Sequence, residues 1–149
     1  MKLDHRITVD APRADVWALV MDLPRAARCV PGTRDLVADG EGARGTLEVR
    51  LGPVKLALAG TVHVESRDEA AGTARLRADA ADQRVGGAVR ALMELELTGD
   101  GPVELRVRTD VAILGRIGEL GQPLIARQAD KVIGAFAECL RATVTARAP

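Results

Sequence analysis

The stretch 115–143, GRIGELGQPLIARQADKVIGAFAECLRAT, sets the terms for the whole chain. Ile117, Leu120, Leu124, Gln128, Val132, Phe136 and Leu140 recur at steps of three or four, so they share one face of a helix. Arg127, Asp130, Lys131, Glu138 and Arg141 fall largely on the opposite side. Roughly 26 helical residues would run about 39 Å, enough to cross a small domain. A rod with that apolar stripe is not stable alone in water and must lie on a broad apolar surface.

The preceding residues supply the surface. Leu3, His5, Ile7 and Val9 alternate with Asp4, Arg6 and Thr8, the pattern of a half-buried strand. Asp10-Ala11-Pro12 breaks it, and Val16, Trp17, Leu19 and Val20 mark a short amphipathic helix ending near Asp22. Pro24 starts a second short helix, which Cys29-Val30-Pro31-Gly32 ends. Strands and turns then repeat. Leu47, Val49 and Leu51 form one inward row, and Leu56, Leu58, Gly60, Val62 and Val64 the next. Leu76 and Ala78, then Met93 and Leu95, then Val107 and Val111, continue it strand by strand. Thr98-Gly99-Asp100-Gly101-Pro102 is the clearest hairpin signal. The expected fold is a single α+β domain over 1–149, with about seven antiparallel strands in a curved sheet wrapped on the long C-terminal helix and two short helices after the first strand.

Composition narrows the function. Twenty-one basic and 21 acidic residues cancel, which removes the simplest case for nucleic acid. The first ten residues lack a signal-peptide apolar core, and no 18 apolar residues run unbroken, so a cytoplasmic chain is expected. Cys29 and Cys139, far apart and outside any CxxC spacing, are expected as free thiols. Trp17 and Phe136 are the only Trp, Tyr or Phe residues in a chain that is 47 % hydrophobic. A core built from Ala, Val and Leu either packs many small side chains or leaves space.

Catalytic patterns are scarce. Ser66, the only serine, lacks a GxSxG setting, and no HExxH, CxxC or EF-hand spacing occurs. No cofactor and no metal site are expected. His5 and Asp110 are the only acid or base candidates for an enzyme working on a hydrophobic substrate.

The functional expectation is instead a gap between a straight helix and a sheet that bends away from it. The sequence places that gap beside the first half of the helix. Gly115, Gly118 and Gly121 carry little volume there and Pro123 disturbs the ladder, while Val132, Phe136 and Leu140 mark the better-packed end. Its walls would be Leu47, Val49, Leu56 and Leu58, then Leu76, Met93 and Leu95, then Val107 and Val111 from the sheet, and Ile117, Leu120 and Leu124 from the helix. Cys29, Val30 and Pro31 would stand at the entrance, and Trp17 would serve as a core anchor or a ligand-stacking ring. Gln128 interrupts the apolar stripe, either hydrogen-bonded to neighbouring backbone or as a polar anchor for a ligand's carbonyl or hydroxyl.

The Trp17 helix leading to Cys29-Val30-Pro31-Gly32, the turn Leu51-Gly52-Pro53-Val54-Lys55, Ala59-Gly60-Thr61 and the run LGRIGELG at 114–121 resemble the family of the carbon monoxide dehydrogenase G subunit. That family belongs to the START/Bet v 1-like (SRPBCC) superfamily of helix-grip proteins, and the resemblance covers almost the whole chain. It implies a helix-grip fold with a deep apolar cavity. It also implies a non-catalytic accessory role beside a molybdenum-containing carbon monoxide dehydrogenase or related hydroxylase, through recruitment to the membrane and binding of a respiratory quinone. The partners it implies are thus an apolar lipid-like molecule and a molybdenum hydroxylase complex, at the inner face of the membrane. Some members continue into a membrane-seeking tail; with the sequence ending at Pro149, no more than peripheral membrane contact is expected. An interaction protein with an incidental cavity is the remaining alternative.

Overall fold

The first strand, β1 (Lys2–Val9), keeps the alternation of its sequence, and Ile7 and Val9 are buried on its inner face. A computed structural model of the chain describes residues 1–147. Pro12 stands at the N-cap position of α1 (Arg13–Met21), which buries Val16, Trp17, Leu19 and Val20. The Asp22 side chain then accepts a hydrogen bond from the Arg25 amide at 3.4 Å and caps α2 (Leu23–Arg28), with Pro24 in the first turn, where no backbone donor is needed. These helices carry the chain from one edge of the sheet to the other.

Six strands return as a meander: β2 (Thr33–Asp39), β3 (Gly42–Leu51), β4 (Val54–Asp68), β5 (Thr73–Asp82), β6 (Gly87–Thr98) and β7 (Val103–Gly115). All pairings are antiparallel, in the order β1-β7-β6-β5-β4-β3-β2, so β1 and β2 are the edges. The sheet is irregular at Arg34/Val37 and at Val64/Ser66, where breaks in register let it curl. Its outer face is held by cross-strand ion pairs, among them Arg75–Glu94 and Arg90–Asp79, which suits a solvated surface. The expected α+β architecture is present.

The long helix departs from expectation at its start. Arg116–Leu120 forms a separate 3-10 turn, and Gly121, at φ 90°, breaks the chain before α3 (Gln122–Arg147) begins. A side chain is strained at that angle, so glycine marks the boundary. Pro123 consequently lies in the first turn of α3 and disturbs nothing.

The cysteines require a second correction. Cys29, directly after α2, and Cys139 of α3 are disulfide-bonded, with Cα atoms 5.3 Å apart. Their separation of 110 residues hides a proximity that the fold creates.

Apolar packing divides into two blocks. The larger lies under α1 and the last turns of α3, where Ile7, Trp17, Leu19, Leu97, Leu105 and Leu140 meet. The smaller lies under the 3-10 turn and the start of α3, where Leu51, Leu56, Leu58 and Ile117 are buried against Val49, Leu120 and Leu124.

Candidate ligand-binding hollow

Between the two blocks is a hollow of about 430 Å³. Strand register explains it. Ala43, Val62, Ala78 and Ala91 lie in one row across β3 to β6, and Gly45, Gly60, Ala80 and Val89 in the next. These two rows face the middle of α3, which replies with Val132, Ile133 and Phe136. Alanine and glycine cannot reach the helix, so, buried Ala43 apart, both surfaces keep partial solvent access. Ala26, Ala27 and Val30 of α2 and the turn after it complete the roof.

The wall is almost wholly apolar. The Thr33 hydroxyl donates to the carbonyl oxygens of Ala27 and Val30 at 3.1 and 3.0 Å. Arg44, Thr46 and Thr61 border the hollow, but strand alternation turns their side chains to the outer face. No ionised group is thereby placed inside. Among the described residues no cluster of His, Cys, Asp and Glu could hold a metal ion.

Val30, Leu47, Leu58, Leu76, Met93, Leu95 and Val107, expected as lining residues, are on the wall. The rest are elsewhere. Val49, Leu56, Ile117, Leu120 and Leu124 pack in the smaller block, which fills the region beside the start of the helix. The gap therefore lies beside the middle of α3 and not its first half, with Leu140 well packed as expected but Val132 and Phe136 on the wall, because Ile117 and its neighbours fill the glycine-rich end and small sheet residues empty the centre. Trp17 belongs to the larger block and Cys29 to the disulfide. Pro31 is exposed, and Val111 and Gln128 are half-buried off the wall, so Gln128 supplies no polar anchor there. Sequence reasoning passed over Gly45, Ala80, Ala91 and Ile133, although the run of small residues at alternate positions of β5 was the available signal.

The two acid–base candidates also lie off the wall. His5 Nε2 is 2.8 Å from Asp130 Oδ1, which ties β1 to α3, while its Nδ1 is buried without a partner. Asp110 is exposed. Outside the hollow, Asp82 is the buried acid: its carboxylate accepts from the amides of Ala57, Arg84 and Val85 at 2.8, 2.9 and 3.3 Å. Those bonds, the one from Ala57 foremost, hold its pKa below the ordinary aspartate value against the opposing effect of burial. A depression of about 400 Å³ on the outer face is lined by Ser66, Arg67, Arg75, Glu94 and Arg108, whose charges are paired among themselves and with Glu41. No helix among the described residues is long and apolar enough to cross a membrane.

Comparison with known proteins agrees with this geometry. A family model described as the G subunit of carbon monoxide dehydrogenase (CoxG) matches residues 6–145. No curated protein matches the sequence. Among solved structures, a conserved protein from Geobacillus kaustophilus is similar at a TM-score of 0.85 and 19 % identity, with 97 % of this chain and 95 % of that one covered. An aromatase/cyclase from a Streptomyces species is similar at 0.69 and 16 % identity, covering 99 % and 94 %. A START superfamily protein from Mycobacterium smegmatis is similar at 0.66 and 11 % identity, covering 99 % of each chain. At these identities the likeness establishes the fold, a START/Bet v 1-like helix grip.

Proposed function

The chain belongs to the CoxG family, that of the carbon monoxide dehydrogenase G subunit, and from that premise we propose that it is a non-catalytic carrier of an apolar, lipid-like molecule, a respiratory quinone being the best single candidate. It would serve a molybdenum-containing carbon monoxide dehydrogenase or related hydroxylase, touching the inner face of the membrane at most peripherally.

The observation that carries this reading is the 430 Å³ hollow between two well-packed blocks, walled by rows of alanine, glycine and aliphatic side chains. Its volume falls within the range of about 300–1,000 Å³ usual for small-molecule sites. Burying about 300 Å² of isoprenoid surface would contribute roughly 7 kcal/mol before ordering costs. Affinity of that kind needs no charged contact. The placement of His5 and Asp110 off the wall supports carriage over catalysis.

The test is to purify the protein from its native host, denature it, extract into organic solvent and identify the released molecules by mass spectrometry. An isoprenoid quinone in stoichiometric yield is expected. Release of no apolar molecule, together with no heat of binding for a short-tailed quinone added to the folded protein, would remove the proposal.

A further inference from the structure

The roof of the hollow has a weak seam. α2 presents Ala26 and Ala27 to the space below, and it packs on α1, β2 and β3 while touching α3 little. Among the described residues no hydrogen bond or ion pair joins α2 to α3. What joins the two parts of the roof is covalent. Cys29 directly precedes Val30 on the wall, and Cys139 lies one turn beyond Phe136 on the same face of α3. Thr143 Oγ1 is 3.9 Å from each sulfur and adds little.

We propose that the Cys29–Cys139 disulfide is a redox latch on this roof, a thiol–disulfide exchange site whose reduction frees α2 from α3 and speeds passage of the apolar ligand. The proposal rests on the carrier reading of the hollow. The reductant is a dithiol, small or protein-borne. One of its thiolates attacks Cys139 Sγ, on the less buried residue of the pair, and the S–S bond breaks with its electron pair leaving on Cys29 Sγ, which takes up a proton. The second thiolate of the reductant then attacks the mixed disulfide and releases Cys139 as its thiol. Two electrons have passed from the dithiol, now a disulfide, to the two cysteines. Once that bond is gone, α2 keeps its packing on α1, β2 and β3 and the Thr33 bond to Ala27 but has no tie of its own to α3, whereas the sheet keeps its full ladder of hydrogen bonds.

The test loads the full chain with the neutral fluorophore N-phenyl-1-naphthylamine and follows its release by stopped-flow, before and after dithiothreitol. Release about tenfold faster in the reduced protein is expected, since changes at one site act mainly on dissociation. A Cys29→Ser/Cys139→Ser variant should release at the fast rate whether or not dithiothreitol is present. Hydrogen exchange should quicken at the Ala26 and Ala27 amides and stay slow in β5 and β6. Equal release rates in both redox forms would overturn the latch. So would two titratable thiols in protein denatured without reductant, or loss of the folded circular-dichroism spectrum on reduction. Failure of the probe to bind in either form would instead overturn the hollow as a ligand site, and the latch with it.

Discussion

The Asp82 carboxylate accepts a hydrogen bond from the Ala57 amide at 2.8 Å, joining the end of β5 to β4 at the border between the smaller packed block and the hollow. Its other oxygen accepts from the Arg84 and Val85 amides and so shapes the turn into β6. A single ionised group thus accepts from three part-buried backbone donors. Its pKa is lowered in the folded state, first by the Ala57 bond. The stability it contributes is complete above the ordinary aspartate range, near pH 4, and is lost as pH falls through the lowered native value. Asp82→Asn should therefore reduce Tm by several degrees at pH 7 and flatten the acid side of the stability profile. Thermal melts from pH 2 to pH 7 check this. An unchanged acid limb would mean that Asp82 is not the group responsible.

Ala78 and Ala91 face each other across β5 and β6 in the middle of the small-residue rows. Replacing Ala78 with Leu places three more carbons into the hollow without displacing packed neighbours. At about 0.8 kcal/mol per buried methylene, less about 1 kcal/mol of rotamer entropy, the folded state should gain roughly 1–1.5 kcal/mol. Binding of an apolar probe should fall at least severalfold. Urea titration and probe titration on the same sample give both readings. A loss of stability would mean that the space is already filled by side chains.

Leu140 and Val132 are on the same face of α3 but meet different surroundings. Leu140 is 1 % exposed within the larger block, whereas Val132 borders the hollow and keeps partial access to solvent. Leu140→Ala should cost about 2–5 kcal/mol, since the packed block cannot collapse around the deletion. Val132→Ala should cost about 1 kcal/mol and alter probe affinity instead. Equal costs in chemical denaturation would contradict the division into packed block and open centre.

Alternation is enough to find β1 and β3 to β7, because a sheet wetted on one face writes its orientation into every second residue, whereas β2, broken in register at Arg34/Val37, does not alternate. The helical stripe likewise identifies α3, but periodicity continues through Ile117 and Leu120 and conceals the break at Gly121. A 3-10 turn puts residues three apart on one side just as an α-helix does. The hollow follows from a sound reason but falls beside the middle of α3 and not beside its start. Glycines on the helix suggest emptiness there, but their neighbour Ile117 is fully buried, while the open space comes from Ala78, Ala80, Ala91 and Gly60 lying side by side. That adjacency depends on register between strands and is invisible along one strand alone. The pairing of Cys29 with Cys139 is hidden in the same way, as is the position of Gln128 relative to the wall.

Two glycines separate close approach from mere absence of a side chain. A Cβ on Gly60 would lie 1.9 Å from the Asp79 carbonyl oxygen and 2.6 Å from the Ala80 Cα, both backbone atoms of the paired strand. Backbone cannot swing aside as the end of a side chain can, so Gly60→Ala must push β4 and β5 apart. The expected loss is about 3 kcal/mol, at the upper end for overpacking, together with faster hydrogen exchange along this pair of strands. Gly134 is an exposed interior position of α3, and a Cβ there would meet nothing within 4 Å. Gly134→Ala should gain about 1 kcal/mol from helix propensity and leave probe binding unchanged. Urea unfolding of both variants with a common m-value decides the pair. Wild-type stability in Gly60→Ala would show that β4 and β5 do not approach this closely, and the narrow, small-residue floor beneath α3 would then need a different cause.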